Sequence, residues 1–269
     1  MRERLTAIRE WGALDGSDRD VVRSTLLVRR DLPVRRWLLA CGFLVGSASA
    51  IAGVTSTVAG DAPSAAGVAL LVAGQSLVIW LALCRATANA GAQPLTLATG
   101  ITLARAGTVA VLGGFLFGAI WGVETGWLPA ALFALAFALD AVDGAVARVT
   151  GRVTALGERL DLQMDALGVF VGTTLAVVQG DAPVIFVLVG LARYAFVAGI
   201  WLERRRGVAV SDLPPSRRRR PLAAGAMLVV VLALAPGPGG DFTWVLAGAF
   251  TVPFVVSFAL DYLAVTGRR

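Results

Sequence analysis

Long apolar stretches separated by short polar joins dominate this chain. Eight of these stretches are near the length of about 20 residues that a helix needs to cross a hydrocarbon core, because each residue advances the helix by about 1.5 Å. The pattern therefore predicts an all-α integral membrane protein. The predicted spans cover residues 37 to 60, 65 to 87, 97 to 121, 126 to 149, 158 to 180, 182 to 203, 221 to 236 and 242 to 265.

Composition supports this prediction, because 57% of the residues are hydrophobic and only 16% are charged. Soluble domains carry about 25% charged residues. There is no histidine and all 24 basic residues are arginine, so chemistry near neutral pH is left to carboxylates and arginines. Cys41 and Cys84 lie in apolar stretches, and we interpret them as packing residues rather than as a disulfide or a zinc site.

The arginines indicate how the chain is oriented. With the N-terminus in the cytoplasm, segments 1–36, 148–159, 204–220 and 268–269 are cytoplasmic and hold nine, three, seven and two arginines, while the outer joins hold none. This is the positive-inside asymmetry. We therefore predict eight spans in the cell membrane with both termini in the cytoplasm. The net charge of +6 then indicates contact with anionic membrane lipids and not with nucleic acid.

The N-terminal segment, residues 1 to 36, combines many charges with scattered apolar residues such as Leu5, Ile8 and Trp11. Two interpretations fit this mixture. The segment is either a helix lying in the membrane interface or a solvated charged tail. In both cases it is a cytoplasmic segment that precedes the first span.

Carboxylates are concentrated at one predicted hairpin. Asp140 and Asp143 end the fourth span, and Asp161 and Asp165 begin the fifth, on the same cytoplasmic side. A carboxylate inside a membrane helix costs about 2.5 to 3.5 kcal/mol on insertion scales, so such residues are functional candidates. Spacings of three and four residues put each pair on one helix face. The small residues on the same two faces are Gly144, Ala147, Gly151, Gly157 and Gly168.

Four neighbouring carboxylates predict a divalent metal. Without a cation they would repel one another in a medium of low dielectric constant, and their hard oxygens suit Mg²⁺ or Mn²⁺. We expect one or two ions. The alternative is that the aspartates cap helices or pair with the nearby Arg148, Arg152 and Arg159, as charges at span ends commonly do.

The same stretch resembles a known family signature. Residues 140 to 165 read D-x2-D-G-x2-A-R-x8-G-x3-D-x3-D, which is similar to the motif of the class I CDP-alcohol phosphatidyltransferases. The resemblance implies a six-helix transmembrane core over residues 94 to 266, commonly homodimeric, to which the two spans within residues 37 to 90 are an addition. It also implies transfer of a phosphatidyl or related group from a CDP-linked substrate to an alcohol, with release of CMP.

The resemblance implies roles for individual residues as well. Asp140, Asp143 and Asp161 would be metal ligands, while Asp165 would be the general base and could be a further ligand. The residues that would border the cytidine nucleotide or hold its diphosphate are Gly144, Ala147, Gly157 and Arg148.

The third predicted span begins with an element similar to the family's Thr-x-x-Arg sequence. Thr102 is the candidate for a nucleotide contact. Arg105 either contacts the acceptor or is an ordinary arginine that snorkels to the cytoplasmic interface. The family usually has an asparagine two or three residues before the threonine, whereas Thr99 and Gly100 stand there in this chain.

One further charge lies deep in the sixth predicted span. An unpaired Arg193 would be costly there, so we expect it to face an internal polar cavity and contact the acceptor, or else to pair with Asp261. The arginine-rich loop 204 to 220 either fixes topology against anionic lipid or binds a phosphate carried by the acceptor.

These observations predict a metal-dependent enzyme of phospholipid biosynthesis that joins a CDP-linked lipid to a small polar alcohol. The reversed arrangement, with a CDP-linked small alcohol and a diacylglycerol-like acceptor, would use the same motif. A transporter that guides cations along the carboxylates would show ion flux without CMP release. A noncatalytic scaffold would have no need of an intact motif.

Overall fold

The computed structural model describes residues 16–55, 62–90, 95–150, 154–211, 213, 216–237 and 240–267, and over these residues it is all-helical. Its α-helices are α1 (Gly16–Thr55), α2 (Ala62–Ala90), α3 (Leu97–Ile120), α4 (Leu128–Thr150), α5 (Ala155–Gln179), α6 (Val187–Arg205), α7 (Arg219–Leu234) and α8 (Gly240–Val265), with a 3₁₀ turn at Val184–Phe186 before α6. The expected all-α membrane fold is confirmed.

Each predicted span corresponds to one helix. Seven of the helices are long and apolar enough to cross a membrane, so the protein is an integral membrane protein. The helix in the predicted span 221 to 236 is α7, whose 16 residues rise about 24 Å. That is less than the roughly 30 Å thickness of a hydrocarbon core. By length and composition, seven helices among the described residues are candidate spans, whereas the sequence predicts eight.

The predicted interfacial segment lies partly outside the described residues. From Gly16 onward the backbone is helical and runs without a break into the first span, which occupies Val34–Thr55 of α1. This continuity means that α1 is much longer than the span it contains.

Threonine side chains cap the N-termini of helices α3 and α5. Thr96 caps α3 by accepting a hydrogen bond from the backbone N–H of Thr99, 3.2 Å away. Thr154 caps α5 in the same way through the N–H of Gly157, at 3.0 Å. Such caps satisfy backbone donors that a helix start leaves unpaired. Helix α5 ends at Gly180, whose φ of 86° is a conformation that glycine adopts without strain.

Helix α3 lies at the centre of the bundle. Of the residues in its apolar stretch of 18 residues, 78% are buried within the protein. In the other six candidate spans the corresponding share is 22% to 44%. Helix α3 contacts α1, α2, α4 and α5. Gly107 and Gly113 lie where α1 and α2 approach it most closely. The helix that is most enclosed by protein is therefore the one that carries Thr102 and Arg105.

The larger hydrophobic core joins α3, α4, α5 and α7. Phe115, Phe133, Leu175 and Val230 contribute one buried side chain from each of these helices. Lipid tails are as apolar as these side chains, so close packing rather than exclusion of water stabilises the contacts. This packing holds α4 and α5, which carry the four aspartates, against α3 and α7.

Ion pairs join the start of α7 to the end of α8. The Asp261 carboxylate accepts a hydrogen bond from Arg218 at 2.9 Å and from the Nε of Arg219 at 2.8 Å. Nearby, the Tyr262 hydroxyl donates to the buried Glu203 of α6 at 2.8 Å. Ion pairs therefore hold the C-terminal end of the arginine-rich loop against the last helix, α8.

Candidate functional site

Three aspartates from two helices converge at one point. Asp140 belongs to α4, and Asp161 and Asp165 lie one helical turn apart on α5. Each of the three offers one carboxylate oxygen, and these oxygens all lie within 4.8 Å of one another. Because α4 and α5 follow each other through a short connection, the end of one helix and the start of the next reach the same place.

Asp143 is buried beside these aspartates but faces a different partner. Its side chain is on α4, and its Oδ2 lies 3.0 Å from the hydroxyl of Thr102 on α3. The same hydroxyl lies 3.1 Å from the carbonyl oxygen of Ala98. A threonine hydroxyl has one proton to donate, so it serves either the carboxylate or the helix carbonyl at a given moment. Thr102 thus connects α3 to the acidic group instead of standing apart from it.

Arg105 lies in the middle of the acidic group. Its guanidinium is paired with Asp140, with Asp161 at 2.5 Å and with Asp165 at 3.1 Å. The side chain is only 3% exposed. This burial contradicts the snorkelling alternative, because the charged end points into the protein and not to the interface. Arg105 therefore supplies positive charge that balances these three carboxylates.

The donor set fits a divalent cation. One carboxylate oxygen from each of three residues lies within 4.8 Å of the other two, and such oxygens are the ligands that Mg²⁺ and Mn²⁺ prefer. Among the side chains that the structure describes here, one guanidinium contacts this group of four carboxylates, Asp143 included, so negative charge is in excess. The guanidinium also bonds the oxygens that an ion would need. A cation at this place would therefore have to share the acidic group with Arg105 or shift it.

A small cleft with a volume of about 20 Å³ adjoins the acidic group. Its polar end is formed by Arg105, Asp140 and Asp165, and the rest of its lining is mostly apolar. The apolar residues include Phe133 and Phe137 from α4 and Met227 from α7. The lining of this small cleft combines a charged end with apolar walls, a polarity that matches a molecule with a polar head and an apolar part.

The predicted nucleotide-binding residues are only partly described. Gly157 lies at the cap of α5, where an added Cβ would stand 3.1 Å from the Thr154 hydroxyl. Gly144 is half-buried on α4. The side chains of Ala147 and Arg148 lie outside the described residues, although their backbone is part of α4. Their roles at the nucleotide remain predictions.

Arg193 is not brought to the aspartates. It lines a surface pocket of about 320 Å³ together with Gln163, Tyr194 and Trp201. Gln163 is two residues from both Asp161 and Asp165, so it stands on the other side of α5. The alternative pairing with Asp261 is not formed either, because that carboxylate bonds two arginines of the loop. The expected internal cavity is thus a surface pocket.

The ion pairing of Arg105 was not foreseen from the sequence, although a signal was present. The residue stands more than two turns inside the third predicted span. Charged side chains at such positions are almost always paired. The nearest charged residues in the chain, however, are 19 or more positions away, and the partners come from two other helices.

The fold and site define the class: a helical integral membrane protein with a carboxylate-rich site where helices α3, α4 and α5 meet. The family model described as CDP-alcohol phosphatidyltransferase matches residues 95–260, more than half of the chain. The chain belongs to this family, and the resemblance drawn from the sequence motif is confirmed. No curated protein and no solved structure matches the chain significantly.

Family membership establishes the general activity. The protein is a CDP-alcohol phosphotransferase, an enzyme that moves a phosphatidyl-type group from a CDP-alcohol to a second alcohol. The matched region begins just before α3 and ends within α8. It contains all of the residues that form the acidic group, and α1 and α2 lie before it.

Proposed function

We propose that the protein transfers a phosphatidyl group, or its ether-lipid equivalent, from a CDP-linked lipid to a small polar alcohol and releases CMP. This reaction belongs to phospholipid biosynthesis. The observation that supports it is the convergence of Asp140, Asp161 and Asp165, two of which, Asp140 and Asp165, also line a cleft with mostly apolar walls. The acceptor could itself carry a phosphate.

The metal, one or two ions of Mg²⁺ or Mn²⁺, would be held by Asp140, Asp161 and Asp165, with Asp143 as a further ligand. When bound, it would neutralise charge on the diphosphate that links the lipid to cytidine. Arg105 lies close enough to these carboxylates to supply positive charge to the same phosphates. Its role as an acceptor contact stays a proposal.

The transfer needs a base and a leaving group. In our proposal Asp165 removes the proton from the acceptor hydroxyl, and the acceptor oxygen forms a bond to the phosphorus that bears the lipid. The bond from that phosphorus to the oxygen of CMP breaks, and CMP leaves with the electron pair. Asp165 belongs to the acidic group and lines the cleft, so it can meet a hydroxyl and a phosphate at once.

The remaining site residues receive proposed roles from the family motif. The nucleotide would lie against Thr102 and the backbone near Gly144, Ala147 and Gly157, with Arg148 at its diphosphate. Arg193 is the proposed acceptor contact in the pocket with Gln163, although that pocket lies on the other side of α5. A homodimer whose active sites lie at the cytoplasmic face of the membrane is proposed on the same basis.

The apolar wall of the cleft also fits a second arrangement. A lipid tail could lie against Phe133 and Phe137 whether the lipid is the donor or the acceptor. A CDP-linked small alcohol with a diacylglycerol-like acceptor is therefore the second candidate. The bond changes at phosphorus would be the same in both cases.

The test uses purified protein in detergent with Mn²⁺. One set of reactions contains CDP-diacylglycerol or its ether analogue with serine, glycerol phosphate or inositol phosphate. The other set contains CDP-linked small alcohols with diacylglycerol. CMP and new lipid are measured together, and Asp165→Asn serves as the inactive control. CMP release in the first set alone supports the proposal, release in the second set alone supports the reversed arrangement, and release in neither set rejects both.

A further inference from the structure

The hairpin formed by α1 and α2, which precedes the region matched by the family, packs directly behind the site. Its buried residues Leu44, Ile79 and Leu83 form one hydrophobic core with residues of two site-bearing helices. Those residues are Leu103 of α3 and Leu160 and Met164 of α5. The hairpin therefore supplies about half of the buried residues of this core, and the others belong to the region matched by the family model.

The core residues on α3 and α5 are sequence neighbours of the site residues. Leu160 precedes Asp161, Met164 precedes Asp165, and Leu103 follows Thr102. Adjacent residues on a helix point about 100° apart, so fixing one side chain fixes the direction of the next. Contact with the hairpin thus determines where the two α5 aspartates point.

A polar contact in the membrane interior reinforces this arrangement. Gln75 of α2 is fully buried, and its side-chain amide donates a hydrogen bond to the carbonyl oxygen of Ala106 at 3.0 Å. Ala106 directly follows Arg105. An amide inside a membrane bundle stabilises helix contacts through such bonds. Gln75 therefore ties the hairpin to α3 at the level of the arginine that pairs with the aspartates.

The backbones of the hairpin and α3 are also very close. A Cβ added at Gly107 would lie 2.3 Å from the hydroxyl of Ser47 and 2.9 Å from the backbone nitrogen of Ala48. A Cβ added at Gly67 would lie 2.7 Å from the carbonyl oxygen of Gly113. Only glycine permits these contacts, so the fit between the hairpin and α3 is specific.

From these contacts we infer that the α1–α2 hairpin is a positioning element of the active site. It sets the rotation of α3 and α5 so that Arg105, Asp161 and Asp165 converge. Leu83 and Gln75 are its main positioning residues. The inference rests on the proposed metal-dependent transfer, because it is this site that the hairpin would hold in place.

The experiment compares full-length variants with a matched control on the same helix. Leu83→Ala removes a side chain that is 1% exposed, while Leu81→Ala removes the same side chain where it is 43% exposed. Gln75→Leu removes the hydrogen bond to Ala106 with little change in volume. Mn²⁺ binding is followed by the electron paramagnetic resonance signal of free Mn²⁺, and CMP release gives kcat and KM.

Leu83→Ala and Gln75→Leu should weaken Mn²⁺ binding and lower kcat by roughly 10-fold to 100-fold, as loss of supporting contacts around a metal site typically does. KM for the CDP-linked lipid should stay within about twofold, since no described residue of α1 or α2 lines the cleft beside the acidic group. Leu81→Ala should match the wild type. Leu83→Met, which keeps the volume, should restore most of the loss.

Two results would overturn the inference. One is that the Leu83→Ala variant folds, binds Mn²⁺ with the same affinity as the Leu81→Ala variant and keeps the wild-type kcat. The other is the same outcome for Gln75→Leu, which decides the matter if Leu83→Ala does not fold. Should the wild type release no CMP from any donor, the proposed function fails, and the Mn²⁺ binding comparison still tests the hairpin because it needs no turnover.

Discussion

Replacing Arg105 by glutamine tests the arrangement at the centre of the site. The guanidinium pairs with Asp140, Asp161 and Asp165, and glutamine keeps hydrogen-bonding capacity while removing the charge. Two unit charges about 4 Å apart interact by about 4 kcal/mol at an effective dielectric constant of about 20. Removing one member of a buried ion pair costs about 3 to 5 kcal/mol in measured cases. The carboxylates are 27% to 37% exposed, so we expect the lower end, about 3 kcal/mol.

Bound Mn²⁺ should increase the stability of the variant more than it increases the stability of the wild type. Without Arg105 the three carboxylates lack their counter-charge, and a divalent ion no longer competes with a guanidinium for their oxygens. A tenfold tighter Mn²⁺ affinity would add about 1.4 kcal/mol of stabilisation at saturating ion. The variant should thus unfold at a clearly lower temperature in EDTA and gain more from Mn²⁺.

The assay is thermal unfolding in detergent, with EDTA and with Mn²⁺, together with Mn²⁺ binding by paramagnetic resonance. Arg85→Gln is the matched control, because Arg85 is an exposed arginine on the neighbouring helix α2. It should behave as the wild type in both conditions. If Arg105→Gln unfolds at the wild-type temperature in EDTA and binds Mn²⁺ no more tightly, the guanidinium does not balance these carboxylates.

Three further variants test single contacts. Asp165→Asn should abolish CMP release while largely preserving binding of the CDP-linked substrate, since it removes a base but keeps the shape; full turnover in the purified variant would refute this role. Asp143→Asn should lower the rate and raise the Mn²⁺ concentration for half-maximal activity, and an unaltered titration would count against it. Gly107→Leu should destabilise the fold, measured as a lower unfolding temperature, because a Cβ there meets Ser47 and Ala48; the control Gly100→Leu, where a Cβ meets nothing within 4 Å, should not.

The helices and their order could be predicted from the sequence because membrane spans are set by local apolar length. The grouping of aspartates was also a local property. Asp140 ends α4 and Asp161 and Asp165 begin α5, so a short connection alone brings them to one end of the bundle. The family signature lies in the same short stretch, which is why it could be identified without knowledge of the fold.

The partners of these aspartates depend on contacts between distant parts of the chain. Arg105 lies 35 residues from Asp140 and 56 from Asp161, and nothing in the local pattern pairs them. Whether an intramembrane arginine snorkels or points inward depends on the rotation of its helix. Packing against other helices sets that rotation. Arg193 is also deep in a predicted span, yet it lies in a surface pocket and not, like Arg105, among carboxylates inside the protein.

The sequence by itself determined the class of protein, the helix order and the acidic stretch, because each follows from residues close together in the chain. Only the tertiary structure decided that Asp143 faces Thr102, that Arg105 stands among three carboxylates and that the N-terminal hairpin packs behind the site. The physical reason is that apolar length is enough to make a helix span a membrane. Its neighbours and its rotation are selected by side-chain fit between helices that are far apart in sequence.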